Sequence, residues 1–153
     1  MKRFFSLLGF SLLLSCHSSR EAGSKTEVKQ GISGHVRERT GNQMPSPDAP
    51  GSEGKAVVTK IYVYEATDLS QVERVGTSSF YHSIKTKLLK TADSDENGFF
   101  SVELPAGNYS LFTMVDGKFY ANSFDSRNNI APVTVEKNKC SQVNITISAK
   151  ASY

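Results

Sequence analysis

The sequence predicts an all-β protein, an antiparallel β-sandwich of seven to eight short strands. Three observations lead to this prediction. Apolar and polar residues alternate with a period of two rather than 3.6. β-Branched and aromatic residues are frequent within these runs, and turn residues separate the runs about every ten positions. A chain of 153 residues has room for one ordinary domain, which excludes a large multidomain enzyme.

The first two strands are predicted on either side of a long loop. Ile32 and Val36 lie at alternate positions in the first strand, and Ile61 and Val63 do so in the second. This alternation is typical of half-buried antiparallel strands. Between them, residues 40–54 contain three prolines and three glycines, so a Pro- and Gly-rich surface loop is expected there.

The clearest hairpin is predicted at the adjacent residues Asn97 and Gly98, because both tolerate the positive φ of a tight turn. The strand that follows has Phe100 and Val102 on one side. After a second turn, residues 109–115 are apolar on both faces, which predicts a central strand.

Three more strands are predicted toward the carboxyl end, at residues 119–124, 133–135 and 143–147. Residues 67–92 are less regular, and we interpret them as an insertion. Their pattern allows a long hairpin that pairs 71–75 with 84–92, or a short helix near Asp68.

The amino-terminal residues have the order of an export signal. Two basic residues precede an apolar run, residues 4–14, and Ser15 and Cys16 follow it. The run has 11 residues, whereas a membrane-spanning helix needs about 20. Residues 13–16 (LLSC) resemble the lipobox of bacterial lipoproteins. The resemblance implies that residues 1–15 are a signal peptide and that Cys16 carries the lipid.

The residues after the lipid site predict a flexible tether. Residues 16–30 contain almost nothing apolar and cannot form a core. His17 occupies the position at which, by family analogy, an Asp retains some lipoproteins at the inner membrane. We therefore expect a lipid-anchored protein of the bacterial cell envelope, at the outer membrane, with the membrane as one partner.

Charge and cysteine content argue against a nucleic-acid-binding protein and against a disulfide-bonded domain. Removal of Lys2 and Arg3 with the signal lowers the net charge from +3 to +1, with 16 basic against 15 acidic residues. No nucleic-acid partner is therefore expected. With Cys16 committed to lipid, Cys140 has no intramolecular partner, and we interpret it as an unreactive thiol.

Four segments together resemble a known family of domains. They are residues 31–36 (GISGHV), 61–64 (IYVY), 95–100 (DENGFF) and 104–111 (LPAGNYSL). They resemble the carboxypeptidase regulatory-like domain of the transthyretin-like sandwiches, over residues 31–149. The resemblance implies a Greek-key sandwich and a non-catalytic accessory role, since such domains are often attached to peptidases or outer-membrane transporters.

No enzyme and no cofactor are expected. The chain ends in residues 149–153 (AKASY), unlike the Tyr-Arg-Gly-Ser type motif of hydroxyisourate hydrolases, which share this fold. His35 and His82 lack the spacing of a metal pair. Asp93, Asp95 and Asn97 resemble the opening of a calcium loop, but position twelve of that loop is not a glutamate, so a plain acidic turn is favoured.

Aromatic residues are the remaining candidates for binding. Tyr62, Tyr64, Tyr81 and Tyr120 are predicted binding residues if they gather on one surface, and the alternative is that they are core residues. The leading hypothesis is a lipid-anchored accessory or protein-interaction module with a protein partner in the envelope. The alternative is a sandwich that binds carbohydrate or another small molecule through surface aromatics.

Overall fold

The computed structural model describes residues 28–44 and 52–153, which form strands and one short 3₁₀ helix, Leu69–Gln71. The strands are β1 (Gly31–Asn42), β2 (Lys55–Ala56), β3 (Lys60–Glu65), β4 (Val72–Arg74), β5 (Phe80–Ile84), β6 (Leu88–Asp93), β7 (Phe99–Glu103), β8 (Gly107–Val115), β9 (Lys118–Tyr120), β10 (Pro132–Val135) and β11 (Cys140–Ser152). Within these two ranges, no helix is long and apolar enough to cross a membrane. The predicted signal peptide and Cys16 lie outside them.

The strands form two sheets, which confirms the predicted all-β sandwich. In the four-stranded sheet, β1 is central, with β11 along one edge and β7 and β2 along the other. The seven-stranded sheet has the order β4, β5, β9, β8, β3, β6, and β10 pairs with β8 on the same edge as β9.

The pairing of β1 with β11 is parallel, whereas the other strand pairs of the described residues are antiparallel. The ladder runs from Gly31 opposite Cys140 to Asn42 opposite Ser152. The purely antiparallel sheet expected from the sequence is therefore wrong at this pair. Alternation in one strand does not reveal the direction of its neighbour, and a parallel pair needs a long connection, which the intervening strands supply.

The main core lies between the two sheets. It contains the apolar side chains that alternate along the predicted strands, including Ile32, Ile61, Val63, Phe100 and Val102, each at most 6% exposed. Residues 109–113 of β8 are buried on both faces, as predicted for a central strand.

A second buried cluster, rich in aromatic rings, lies on the outer face of the seven-stranded sheet. Ile61 and Val63 of β3 point into the main core, so Tyr62 and Tyr64 point outward. Tyr64 meets the Phe112 ring edge-to-face with centroids 5.6 Å apart. Residues 67–72 and 121–131 cover these rings, and we call the buried group the outer cluster.

Thr67 fastens both covering segments to the sheet. Its amide N donates to Ser110 Oγ at 3.0 Å, and its Oγ1 donates to the Glu65 carbonyl at 2.6 Å. Its own carbonyl accepts from the Ile130 amide at 2.8 Å. Because Thr67 is fully buried, these bonds satisfy polar groups that would otherwise be costly to bury.

Residues 67–92 contain both a short helix and a hairpin. The 3₁₀ helix follows Asp68, whose side chain accepts from the Ser70 amide at 2.7 Å, as the second alternative predicted. The predicted pairing of 71–75 with 84–92 is wrong, because β4 pairs with β5 and β6 pairs with β3.

Two predicted boundaries also differ. Strand β1 extends to Asn42, beyond the predicted start of the loop at residue 40, because β11 continues beside it. Strand β9 ends at Tyr120, so only two of the six residues of the predicted strand at 119–124 belong to it.

Candidate functional site

The four predicted binding tyrosines do not form an exposed surface. Tyr64, Tyr81 and Tyr120 are 7%, 0% and 3% exposed, so the prediction of a surface role is wrong for these three. Tyr62 is half-buried against Phe119, with ring centroids 5.3 Å apart. Burial raises the pKa of Tyr64 and of Tyr81, so both phenols stay protonated at neutral pH.

The residues of the calcium-loop candidate are engaged in a turn and an ion pair. Asp95 Oδ1 accepts from the amides of Asn97 and Phe99, each at 2.8 Å. Asp93 pairs with Lys60 Nζ at 2.6 Å. Among the residues that the structure describes, no group of three or more His, Cys, Asp or Glu side chains is placed to hold a metal.

Cys140 lies at the start of β11 and is half-buried. Its Sγ is 3.2 Å from Ser33 Oγ, a hydroxyl rather than a base that would draw off its proton. The expectation of an unreactive thiol stays a prediction.

A groove of about 280 Å³ lies along one side of the sandwich, and we call it the edge groove. It lies where the outer edge of β11 faces β10 and the chain that follows β9. Its lining residues are Leu111, Tyr120, Ala121, Asn122, Ser123, Ala131, Pro132, Val133, Val143, Asn144, Ile145 and Thr146.

One wall of the edge groove is the backbone of β11. The Thr146 carbonyl accepts from Asn122 Nδ2 at 3.1 Å, and the Ser148 amide donates to Tyr120 Oη at 3.1 Å. Both groups therefore point away from β1. Because backbone groups alternate along a strand, the amide and carbonyl of Asn144 point to the same side, into the groove.

The opposite wall is built by the loop after β9, which Asp125 holds in shape. Asp125 Oδ1 accepts from the Arg127 and Asn129 amides at 2.8 and 2.9 Å. The hydrogen bond from the Asn129 side chain is the main cause that lowers the pKa of Asp125, so its carboxylate is charged at neutral pH. The Ala131 amide donates to the Ser123 carbonyl at 2.8 Å, which closes the loop at the groove.

The chemistry of the edge groove is neutral. Leu111, Val133 and Val143 supply apolar surface, while side-chain amides and hydroxyls form the polar part. No charged side chain is among its lining residues. Such a groove suits a ligand that has apolar faces and many uncharged hydrogen-bonding groups.

Sequence reasoning did not find this groove. Its residues come from β8, β9, the loop after β9, β10 and β11. Tyr120 is a predicted binding residue and Leu111 ends one of the motif segments, but neither indicated a groove. Asn122 and Asn144 are ordinary surface residues in the sequence, and only the fold brings their segments together.

Comparison with protein-family models and with curated proteins finds no match. Among solved structures, the chain is similar to a crystal structure from Pseudomonas aeruginosa of a protein proposed to bind carbohydrate. The TM-score is 0.42 and the identity 18%, over 78% of this chain and 90% of that chain. A likeness this distant carries no argument about function.

Proposed function

We propose that this chain is a non-catalytic binding module of the bacterial envelope that holds a neutral, polyhydroxylated ligand, such as part of a carbohydrate, in the edge groove. One observation carries the proposal, which is the combination of apolar surface with uncharged amides and hydroxyls in one groove. Sugar rings have the matching character, with C–H faces that pack on apolar side chains and hydroxyls that both donate and accept hydrogen bonds.

Asn122 and Asn144 are the polar residues we expect to fix the orientation of the ligand. Asn122 Nδ2 donates to the Thr146 carbonyl and to Ser148 Oγ, each at 3.1 Å. Its Oδ1 is therefore oriented by these bonds and serves as an acceptor for a ligand hydroxyl. Asn144 is exposed, and its backbone and side chain offer donors and acceptors on β11.

A binding role is favoured over catalysis by the same lining. General acid–base and nucleophilic catalysis need a titratable group beside the reacting atoms. The groove lining offers no carboxylate, imidazole or thiol, and its phenol, Tyr120, is engaged by the Ser148 amide at 3.1 Å. The small volume, about 280 Å³, suits a small ligand or one part of a longer chain.

We test the groove by blocking its rim. Ser123→Trp, at an exposed lining residue, is expected to weaken binding of a neutral tetrasaccharide at least tenfold, because the indole fills the space. Ser126→Trp, on the same loop outside the groove, is the matched control and should bind normally. A panel of glucose, galactose and N-acetylglucosamine tetrasaccharides is titrated into the full chain by calorimetry, in a polyoxyethylene detergent that carries no sugar headgroup.

Two results would contradict this function. One is the absence of heat with every tetrasaccharide, and the other is equal binding by the two tryptophan variants.

A protein partner is the second candidate, and the outward backbone of β11 favours it. An extended peptide can add to such an edge through main-chain hydrogen bonds. Asn144 and Thr146 would pair with it. Ser123→Trp would block this peptide as well, so a library of extended peptides screened with the same two variants separates it from a saccharide ligand.

We also propose that Cys16 is lipidated and holds the domain at the outer membrane through the residues that follow it. The predicted tether of residues 16–30 is wrong at its end, because Gln30 hydrogen-bonds to Leu104 and Asn138 of the domain. The residues around Cys16 support this proposal, since a basic start, an apolar run and Ser15 precede it. Two or more acyl chains give a stable anchor, at about 0.8 kcal/mol per buried methylene.

Palmitate labelling in growing bacteria checks the anchor. The wild-type chain is expected to incorporate radioactive palmitate and to sediment with outer membranes, while Cys16→Ala loses the label and leaves the membrane fraction. Cys140→Ala is the control, because it removes the other cysteine and should keep the label. Label that persists in Cys16→Ala would contradict lipidation at this residue.

A further inference from the structure

Basic side chains gather on the outer face of the four-stranded sheet. His35, Arg37 and Arg39 occupy alternate positions on β1, so all three project from the same face. With Glu53, Asn144 and Thr146 they line an open cleft of about 380 Å³, which we call the basic cleft.

The positive charges of the basic cleft are only weakly compensated. Both arginines are half-buried. Among the residues that the structure describes, Arg37 has an ion pair with Glu53, whose Oε2 lies 3.9 Å from Arg37 Nη1 and whose side chain is 87% exposed. An exposed pair at that distance contributes little. Two guanidinium groups on neighbouring positions of one strand face repel each other, so an anion between them is favoured.

The hydrogen bonds of the two arginines differ. Arg37 Nη1 donates to the Gly54 carbonyl at 3.2 Å, which orients its guanidinium group. Arg39 Nε is buried and has no hydrogen-bond partner among the residues that the structure describes. A buried charged donor without an acceptor is costly. Because Nε is shielded from solvent, a ligand in the cleft would bond the Nη atoms of Arg39 rather than this donor.

The basic cleft adjoins the edge groove across β11. Asn144 and Thr146 of β11 line both depressions, so β11 forms a shared wall between a neutral site and a cationic one. A chain molecule that crosses β11 meets uncharged hydrogen-bonding groups on one side and two arginines on the other.

We propose that the basic cleft binds the carboxylates of an acidic oligosaccharide whose hydroxyls and C–H faces occupy the edge groove. This inference rests on the proposed function and names its ligand class. Arginine suits the carboxylates of uronic acids because its planar fork donates two parallel hydrogen bonds to one carboxylate. The shared wall favours a saccharide over a free anion, since a free anion would use the cleft alone.

The test compares an acidic with a neutral saccharide of the same length. Tetragalacturonate and a neutral galactose tetrasaccharide are titrated into the full chain in polyoxyethylene detergent. Arg37→Gln with Arg39→Gln is expected to weaken tetragalacturonate binding at least tenfold and to leave the neutral tetrasaccharide within twofold of wild type. Because exposed charges are screened, the wild-type affinity for the acidic probe should fall between 50 and 200 mM salt while that for the neutral probe stays constant.

Lys85→Gln with Lys87→Gln is the matched control. It removes the same two charges from exposed residues between β5 and β6, in the other sheet. If this control weakens the acidic probe as much as the arginine variant does, the attraction is unspecific and the inference fails. Arg39→Lys keeps the positive charge but removes the planar guanidinium fork, and it disturbs the fold least. A measurable loss of tetragalacturonate binding is therefore expected in this variant even if the double variant is unstable.

Other outcomes separate the two proposals. Neutral binding with no preference for the acidic probe overturns the basic cleft alone, whereas loss of all saccharide binding overturns the proposed function too. Inorganic phosphate or phosphatidylglycerol vesicles that bind as tightly as tetragalacturonate, with the same dependence on the arginines, would assign the cleft to a free anion or a lipid headgroup and contradict the saccharide.

Discussion

Gly34→Ala is expected to destabilise the domain by about 3 kcal/mol, near the upper end for overpacked positions. A Cβ atom on Gly34 would lie 1.6 Å from the Val143 carbonyl oxygen, well inside contact distance. The obstacle is backbone rather than a flexible side chain. Relief requires β1 and β11 to separate, which breaks their parallel ladder.

Urea denaturation of wild type and variant, followed by far-UV circular dichroism, measures this loss. Gly41→Ala is the control, because a Cβ there meets nothing within 4 Å although φ is +70°. Its expected cost is the left-handed backbone alone, about 1–2 kcal/mol. If Gly34→Ala were no more destabilising than Gly41→Ala, the close approach of β1 and β11 would be incorrect.

Phe112→Ala is the second change with a large expected effect, a loss of about 3–5 kcal/mol in the free energy of unfolding. Phe112 is fully buried, and its ring contacts Tyr64, Tyr81 and Phe119 with centroid distances of 5.6, 5.7 and 6.3 Å. Truncation leaves a cavity beneath the covering segments. Since domains of this size are stable by about 5–15 kcal/mol, this loss is a large part of the total stability.

Chemical denaturation again supplies the measurement, with Val58→Ala as the control. Val58 is 63% exposed, so its truncation should change stability by less than about 0.5 kcal/mol. Hydrogen exchange adds a local readout, because the Ile130 amide bonds to the Thr67 carbonyl above the outer cluster. Unchanged protection there in Phe112→Ala would show that the outer cluster does not hold the covering segments.

The strands were predictable because each carries its own pattern. Phe100 and Val102 alternate within five residues, and Gly98 has the expected positive φ of +73°. The hairpin predicted at this turn is wrong, because β6 pairs with β3 and β7 pairs with β1 in the other sheet. The direction of β11 beside β1 was not predictable, because it depends on residues far apart in the chain. The outer cluster was not predictable for a related reason. Tyr62 and Tyr64 occupy positions of a strand face that the sequence pattern leaves exposed, and segments distant in the chain cover them.

The candidate site was predictable only in part. The tyrosines were predicted as binding residues because they are aromatic. In the structure, Tyr64 and Tyr81 are core residues, and Tyr120 is a buried residue that accepts a hydrogen bond at the groove. Arg37 and Arg39 stand at alternate positions in the sequence, which could have indicated a basic strand face. Their position beside Asn144 was not predictable, because it depends on the register between β1 and β11.

The parallel ladder of β1 and β11 also sets the order of events in folding. Ser33 Oγ accepts from Gln142 Nε2 at 2.8 Å across 109 residues of chain. During synthesis, β1 is made early but stays without this neighbour until β11 has been made. Contacts so distant in sequence close late and slowly, because the entropy of the intervening loop opposes them. The four-stranded sheet therefore stays incomplete until the last strand of the domain has been made.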